Sequence, residues 1–399
     1  MSAQRPPVHT GLDVFLHQDL PALAGRRVGL ITNPTGIDRQ FRSGVDLLRQ
    51  SAEIELVALF GPEHGVRGDV QAGVRVQTAV DGRTGLPIHS LYGETQRPSP
   101  SMLAGLDALI FDIQDIGVRY ATYISTMAYA QAAAADAGLM FVVFDRPNPL
   151  GSPIDGNLLD PAFASFVGVH PLPVLHGLTT GELARLLAAE RGWPAPFVVA
   201  IQRWQHGLWF EQTGLPWVQP SPNLPTLDAV TLYGGTCLIE GTNLSEGRGT
   251  TRPFELVGAP WIDPFRAAEE LQRREIPGVA FRPAYFTPTF SKHAGVACGG
   301  VQIHILHRSA LRPVELGVEL LYTLRRLGPG EFAWRQGGDG RFFVDLLLGS
   351  DQPRRALDDG SDVADVIAGW DEQRRAFESR RRPYLLYETV GNEEHGDTH

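Results

Sequence analysis

Two stretches of the chain gather side chains that can do chemistry. The first is Gly61-Pro62-Glu63-His64-Gly65-Val66-Arg67-Gly68-Asp69, where a carboxylate, an imidazole, a guanidinium and a second carboxylate lie close together. It follows the apolar run Ile54–Phe60, which reads as a buried strand. Pro62 and Gly65 stop that strand and Gly68 keeps the loop tight. In open α/β sheets the loops after the carboxyl ends of the strands line the ligand crevice. A strand that delivers Glu63 and His64 into such a crevice is a catalytic arrangement; an ordinary solvated turn would carry the same residue types. The second stretch is Glu240-Gly241-Thr242-Asn243-Leu244-Ser245-Glu246-Gly247-Arg248-Gly249-Thr250-Thr251-Arg252. It is almost free of large apolar groups, and its glycines let backbone approach a ligand. A purely structural loop does not need so many convergent polar groups, so Glu246 and Arg248 are read as delivered for function.

The elements that must position these loops are legible from hydrophobic periodicity. Helices are expected over Thr10–Ala24, Phe41–Ser51, Pro98–Leu106, Thr122–Ala137 and Thr179–Arg191, the last with a capping arrangement from Thr179 and Glu182. Strands are expected over Arg27–Asn33, Ile54–Phe60, Asp107–Asp115, Leu139–Asp145 and Phe197–Ile201. Strand, helix, strand in this order implies parallel pairing with right-handed crossovers, hence a Rossmann-like, doubly wound, mostly parallel sheet of the α/β class. Beyond Pro260 the pattern changes to helices over Pro264–Arg274, Pro313–Arg326 and Val363–Arg380, with an alternating strand over Val301–Ile305. A boundary near Leu232–Thr236 divides the chain into 1–236 and a smaller C-terminal α+β domain, 237–399, that closes the cleft. Trp204, Trp209 and Trp217, with Pro216, Pro220 and Pro222, suit either a flat apolar wall for a sugar or loops pinned to the core.

Composition removes several function classes. The chain has 399 residues and a formal net charge of -10, which argues against a nucleic-acid partner or an anionic membrane surface. Cys237 and Cys298 build no disulfide framework and fit no zinc spacing, so each reads as a small buried apolar residue. Neither a signal peptide nor a run of the ~18 apolar residues of a membrane helix is visible, so a cytoplasmic protein, monomeric or weakly dimeric, is expected. The dinucleotide fingerprint, the P-loop and the GxSxG elbow are missing, and no cofactor is expected.

The motifs GPEHGVRG (61–68), SLYG (90–93), FDIQDIGVRYATY (111–123), DRPNPLG (145–151), HGLTTGELA (176–184), PSPNLPT (220–226), EGTNLSEGRGTT (240–251) and SKHAG (291–295), with Trp370–Tyr387, resemble the NamZ (YbbC-like) exo-β-N-acetylmuramidase family over nearly the whole chain. That resemblance implies an exo-acting glycoside hydrolase that removes N-acetylmuramic acid from the non-reducing end of peptidoglycan fragments, the MurNAc-GlcNAc type of substrate. It also implies a Rossmann-like domain and a smaller domain with a cleft between them.

Glycosidic cleavage ordinarily takes two carboxyl groups around an oxocarbenium-like transition state. Glu63 is the expected general acid, with His64 beside it. Glu246 is favoured as the second carboxylate, and Asp112 and Asp115 are alternatives that otherwise orient Arg119 or His64. The 2-acetamido group of the sugar leaves substrate-assisted attack open. The lactyl carboxylate calls for an arginine, and Arg67, Arg119, Arg146, Arg248 and Arg252 all lie in the loops named. Tyr92, Tyr120, Asn148, Asn223 and Asn243 are candidate readers of hydroxyl and amide groups, with His176 and His293 as further candidates. Two other classes remain in view: a metal-dependent hydrolase using His64, Asp69, Asp112, Asp115 and His176, and a muramyl-sugar-binding protein without turnover.

Overall fold

A computed structural model describes residues 7–68 and 79–390. The first domain is built on strands β1 (Arg26–Thr32), β2 (Ile54–Gly61), β3 (Ala79–Val80), β4 (Pro87–Ser90), β5 (Ala108–Asp112), β6 (Met140–Phe144) and β9 (Phe197–Val199). They form one seven-stranded sheet in the order β3-β4-β2-β1-β5-β6-β9. All pairings are parallel except β3 with β4. Taken in chain order, the six parallel strands lie in space as third, second, first, fourth, fifth and sixth. This is the doubly wound order, whose direction reverses between β1 and β5. The central strands β1, β2, β5 and β6 are mainly apolar and buried because both faces of the sheet are covered there. Two clusters of buried side chains flank the sheet, one including Phe60, Phe111, Met127 and Val143, the other Leu30, Leu59, Ile110 and Val142.

The helices are α1 (Gly11–His17), α2 (Gly44–Gln50), α3 (Pro100–Leu103), α4 (Thr122–Asp136) and α5 (Thr180–Arg191). Thr179 and Glu182 form the expected reciprocal cap of α5. The first helix stops well short of Ala24, since Gln18 is already extended and Leu20 precedes Pro21, a position that disfavours helical backbone. The second starts only at Gly44, because Phe41 takes a left-handed φ of 61°.

The smaller domain packs a three-stranded antiparallel sheet, β10 (Leu256–Ala259), β12 (Cys298–Ile305) and β11 (Val279–Phe286), against α7 (Pro264–Gln272) and α8 (Pro313–Leu327). A two-stranded pair, β7 (Asp155–Leu158) with β8 (Pro173–Leu175), is inserted between β6 and β9 of the first domain. Helix α6 (Leu227–Thr236) covers the expected boundary and runs directly into a 3-10 turn, Cys237–Gly241. The chain then closes through α9 (Phe343–Leu348), α10 (Gln352–Asp358), α11 (Val363–Val366) and α12 (Trp370–Arg381). The single helix expected over Val363–Arg380 is thus two. Gly369, with φ 85°, turns the backbone between them and caps the second. No helix among the described residues is long and apolar enough to cross a membrane. The three tryptophans pin loops: Trp204 packs edge-on against Tyr387, Trp217 against Phe210, and Trp209 lies under the Arg308 guanidinium.

Candidate active site

The loops after β2 and β5 meet the loops of the second domain around a cleft of about 850 Å³. On the first domain's side stands Glu63, two residues past the end of β2. Its carboxylate accepts a 2.7 Å hydrogen bond from Thr122 Oγ1, at the start of α4. The Tyr92 hydroxyl, two residues past the end of β4, hydrogen-bonds the same carboxylate; burial and the Glu63 charge both push the tyrosine's pKa up. His64 is buried and takes φ 74°, a strained position for a residue with a Cβ, stabilised by the Gly65 amide donating to Pro62 O at 3.0 Å.

On the opposite side Glu240, Glu246, Arg248 and Lys292 form a compact group of two carboxyls and two cations, all lining the cleft. Arg248 donates twice to Glu240 Oε1, at 3.1 and 2.6 Å, and its Nε is 3.4 Å from Glu246 Oε1. Its guanidinium rests 5.0 Å from the centre of the Phe254 ring. Lys292 Nζ lies 2.8 Å from Glu246 Oε2 and hydrogen-bonds the carbonyls of Ile239 (2.9 Å) and Thr242 (3.1 Å). Glu246 Oε2 has no aligned hydrogen bond among the described residues, so the lysine contact is an ion pair rather than a hydrogen bond. Burial pushes the Glu240 carboxyl above its usual range; Arg248 opposes this and Glu246 reinforces it. Burial alone would lower the Arg248 pKa, but the charges of Glu240 and Glu246 outweigh it and the net shift is upward.

Local backbone geometry explains how these side chains are held. Gly249 sits at φ 80°, and a Cβ there would lie 2.6 Å from Phe290 O, so only glycine lets segment 289–290 pass this closely. Thr289 seals the passage by donating twice to Gly249 O, from its amide and its hydroxyl, each at 2.9 Å. Lys292 is flanked by Ser291 (φ 68°) and His293 (φ 57°), both left-handed without being glycine. Backbone strain of this kind, costing on the order of 1–3 kcal/mol each, gathers at functional sites.

Of the residues singled out from sequence, Glu63, Glu246, Tyr92, Tyr120, Asn223 and Arg248 line the cleft. His64 lines an adjoining recess of about 70 Å³ that shares Glu63, Tyr120, Thr122, Tyr233 and Arg248 with the cleft. The Asn223 Nδ2 is buried with no hydrogen-bond partner, which leaves a donor for a ligand.

The others are used elsewhere. Asp112 is fully buried and paired with Arg146 at 2.6 Å. Asp115 accepts from the Gly117 amide at 2.7 Å, and burial raises its pKa to about 7. His176, 3.9 Å from it, is held neutral by burial, with a pKa of about 3. Arg67 ties Asp81 and Asp46 together. Arg119 donates to the carbonyls of Asn157, Leu172 and Leu347, and burial draws its pKa down to about 9. Asn148 bonds Leu178 O and the Leu150 amide; Asn243 bonds Glu331 O and the Ala333 amide. Arg252 pairs with Glu255, and His293 contacts Asn243 O. Asp69 lies outside the described residues, and no three His, Cys, Asp or Glu side chains among the described ones converge to hold a metal.

Sequence reasoning missed Lys292, Arg335 and the role of Glu240. Lys292 and Glu240 lie inside stretches quoted above, SKHAG and EGTNLSEGRGTT, yet nothing local marks them. Arg335 has no motif around it. It lines the cleft, makes no ion pair among the described residues and stacks on Phe343 with its guanidinium 5.0 Å from the ring centre.

The chain matches known proteins along its length. The family model described as exo-beta-N-acetylmuramidase NamZ, N-terminal, matches residues 28–228, and the corresponding C-terminal model matches 231–387. Peptidoglycan beta-N-acetylmuramidase NamZ of Bacillus subtilis (strain 168) is 46% identical over 97% of this chain and 93% of its own length. Two crystal structures of DUF1343 family proteins from Bacteroides fragilis superpose with TM-scores of 0.88 and 0.76, at 36% and 30% identity. They cover 97% and 96% of this chain and all of their own. The chain therefore belongs to the exo-β-N-acetylmuramidase NamZ family.

Proposed function

We propose that this protein is an exo-acting glycoside hydrolase that releases N-acetylmuramic acid from the non-reducing end of peptidoglycan fragments, with Glu63 as its proton donor. The observation that carries this reading is that Glu63 and Glu246 line one cleft, from opposite domains, in a chain of this family. A glycosidase needs a carboxyl group on each side of the bond it breaks. Glu63 is held by Thr122 and Tyr92, two hydroxyl groups that fix its direction. It passes its proton to the departing glycosidic oxygen. Glu246, steadied by Lys292 and Arg248, faces the cation-like sugar that forms or takes a proton from the attacking water.

The lactyl carboxylate of the muramyl group requires a cation that is not already neutralised. Arg248 is engaged by two carboxyls, whereas Arg335 is not, and we assign the clamp to Arg335. The test is hydrolysis of chromogenic N-acetylmuramyl and N-acetylglucosaminyl glycosides. The muramyl compound is expected to turn over and to be strongly preferred. Binding without turnover, or equal rates on both, contradicts the proposal.

A further inference from the structure

We propose that the recess beside Glu63 receives the 2-acetamido group of the sugar and sets the enzyme's selectivity for N-acyl size, an inference that rests on the glycosidase reading above. The recess opens from the cleft, with which it shares Glu63, Tyr120, Thr122, Tyr233 and Arg248. Ile116, Ala121, Leu224 and Phe254, all buried, give it an apolar wall beside the polar Glu63, His64, Thr122, Ser221 and Arg248. Its volume is about 70 Å³. A water-sized group needs about 10–15 Å³ on this measure, so there is room for about five, against the four non-hydrogen atoms of an acetamido group.

Charge and position exclude the other substituent. The lactyl group carries a carboxylate, and Arg248, the arginine that lines the recess, already faces Glu240 and Glu246. The acetamido group is neutral and ends in a methyl, which suits the apolar wall. A residue that protonates the glycosidic oxygen sits beside C1 of the sugar. The substituent on C2 therefore reaches a pocket next to Glu63 more directly than one on C3. Thr122 and Ser221, which also line the recess, supply hydroxyls for the amide.

The experiment compares 4-nitrophenyl muramosides bearing N-acetyl, N-butyryl or a free amine, on the wild type and on Leu224→Ala. For the wild type, kcat/KM is expected to fall at least about tenfold from N-acetyl to either alternative, the usual discrimination of an apolar pocket. Leu224→Ala lengthens the recess, and the ratio of N-butyryl to N-acetyl activity is expected to rise about tenfold. Equal wild-type rates on N-acetyl and N-butyryl overturn the proposal, as does a variant that lowers both in the same proportion. The wild-type series alone decides if Leu224→Ala does not fold. Hydrolysis without acyl selectivity removes only the recess assignment. No hydrolysis of any muramoside removes the glycosidase reading and the recess with it.

Discussion

Arg335 differs from Arg248 in facing no carboxylate among the described residues; its guanidinium rests on the Phe343 ring. Arg335→Ala is therefore expected to lower kcat/KM on muramyl substrates by roughly tenfold to a hundredfold, the worth of a charge-assisted hydrogen bond of about 1.5–3 kcal/mol. The rate on N-acetylglucosaminyl glycosides should barely change, and steady-state kinetics on the pair of substrates checks this. Asp115 makes a different prediction. Its folded pKa of about 7 lies above the ordinary aspartate value of 3.8, because burial penalises the ionised form. Between those values the unfolded chain is ionised while the folded one holds its proton, so the stability tied to this group is present at low pH and lost as pH rises through about 7. Asp115→Asn keeps an acceptor for the Gly117 amide and removes that titration. Relative to wild type, the Tm of the variant should improve steadily from pH 4 to pH 8; a difference independent of pH contradicts the argument.

Helix α6 is the element that carries Glu240 toward the cleft, and its position is fixed by an unusually close crossing with α8. A Cβ on Gly235 would lie 1.8 Å from Pro313 O, and one on Gly317 would lie 2.5 Å from Gly235 O. Gly235→Ala must push the helices apart. It is expected to cost about 3 kcal/mol or more, the upper range for overpacking, read as a fall in denaturant midpoint at constant m. The parallel strands and α4 were legible in sequence because long apolar runs and a capped, Ala-rich segment leave few alternatives. The break at Gly369 was not, because the spacing of apolar residues continues across it while the backbone turns. The loops that border the cleft were legible from Glu63 and Glu246, whose stretches combine glycine with acidic residues. The arginines were not. Arg119 donates to carbonyls 38, 53 and 228 residues away in sequence, and Lys292 reaches Ile239 and Thr242 across about fifty positions. Contacts at such separations leave no local pattern.

For the molecule as a whole, the largest apolar cluster does not respect the division between the domains. It joins Ile116, Val118, Tyr120 and Val174 of the first to Leu238, Phe254, Val301 and Leu320 of the second. Such a shared core predicts one cooperative unfolding transition, with calorimetric and van't Hoff enthalpies equal; two resolved transitions contradict it. Tyr120 and Tyr233, which line the cleft, and Phe254, which lines the adjoining recess, pack edge to face along this core.

In the proposed mechanism Glu63 gives a proton to the departing glycosidic oxygen. Proton NMR of a muramyl-glucosamine disaccharide incubated with wild type and Glu63→Gln tests it directly. Glutamine keeps the size of the side chain and an acceptor for Thr122, so circular dichroism and Tm should be unchanged. Wild type is expected to release free N-acetylmuramic acid, and the variant to be slower by at least about a hundredfold, the contribution of a general acid. A Glu63→Gln protein that releases N-acetylmuramic acid at close to the wild-type kcat contradicts it.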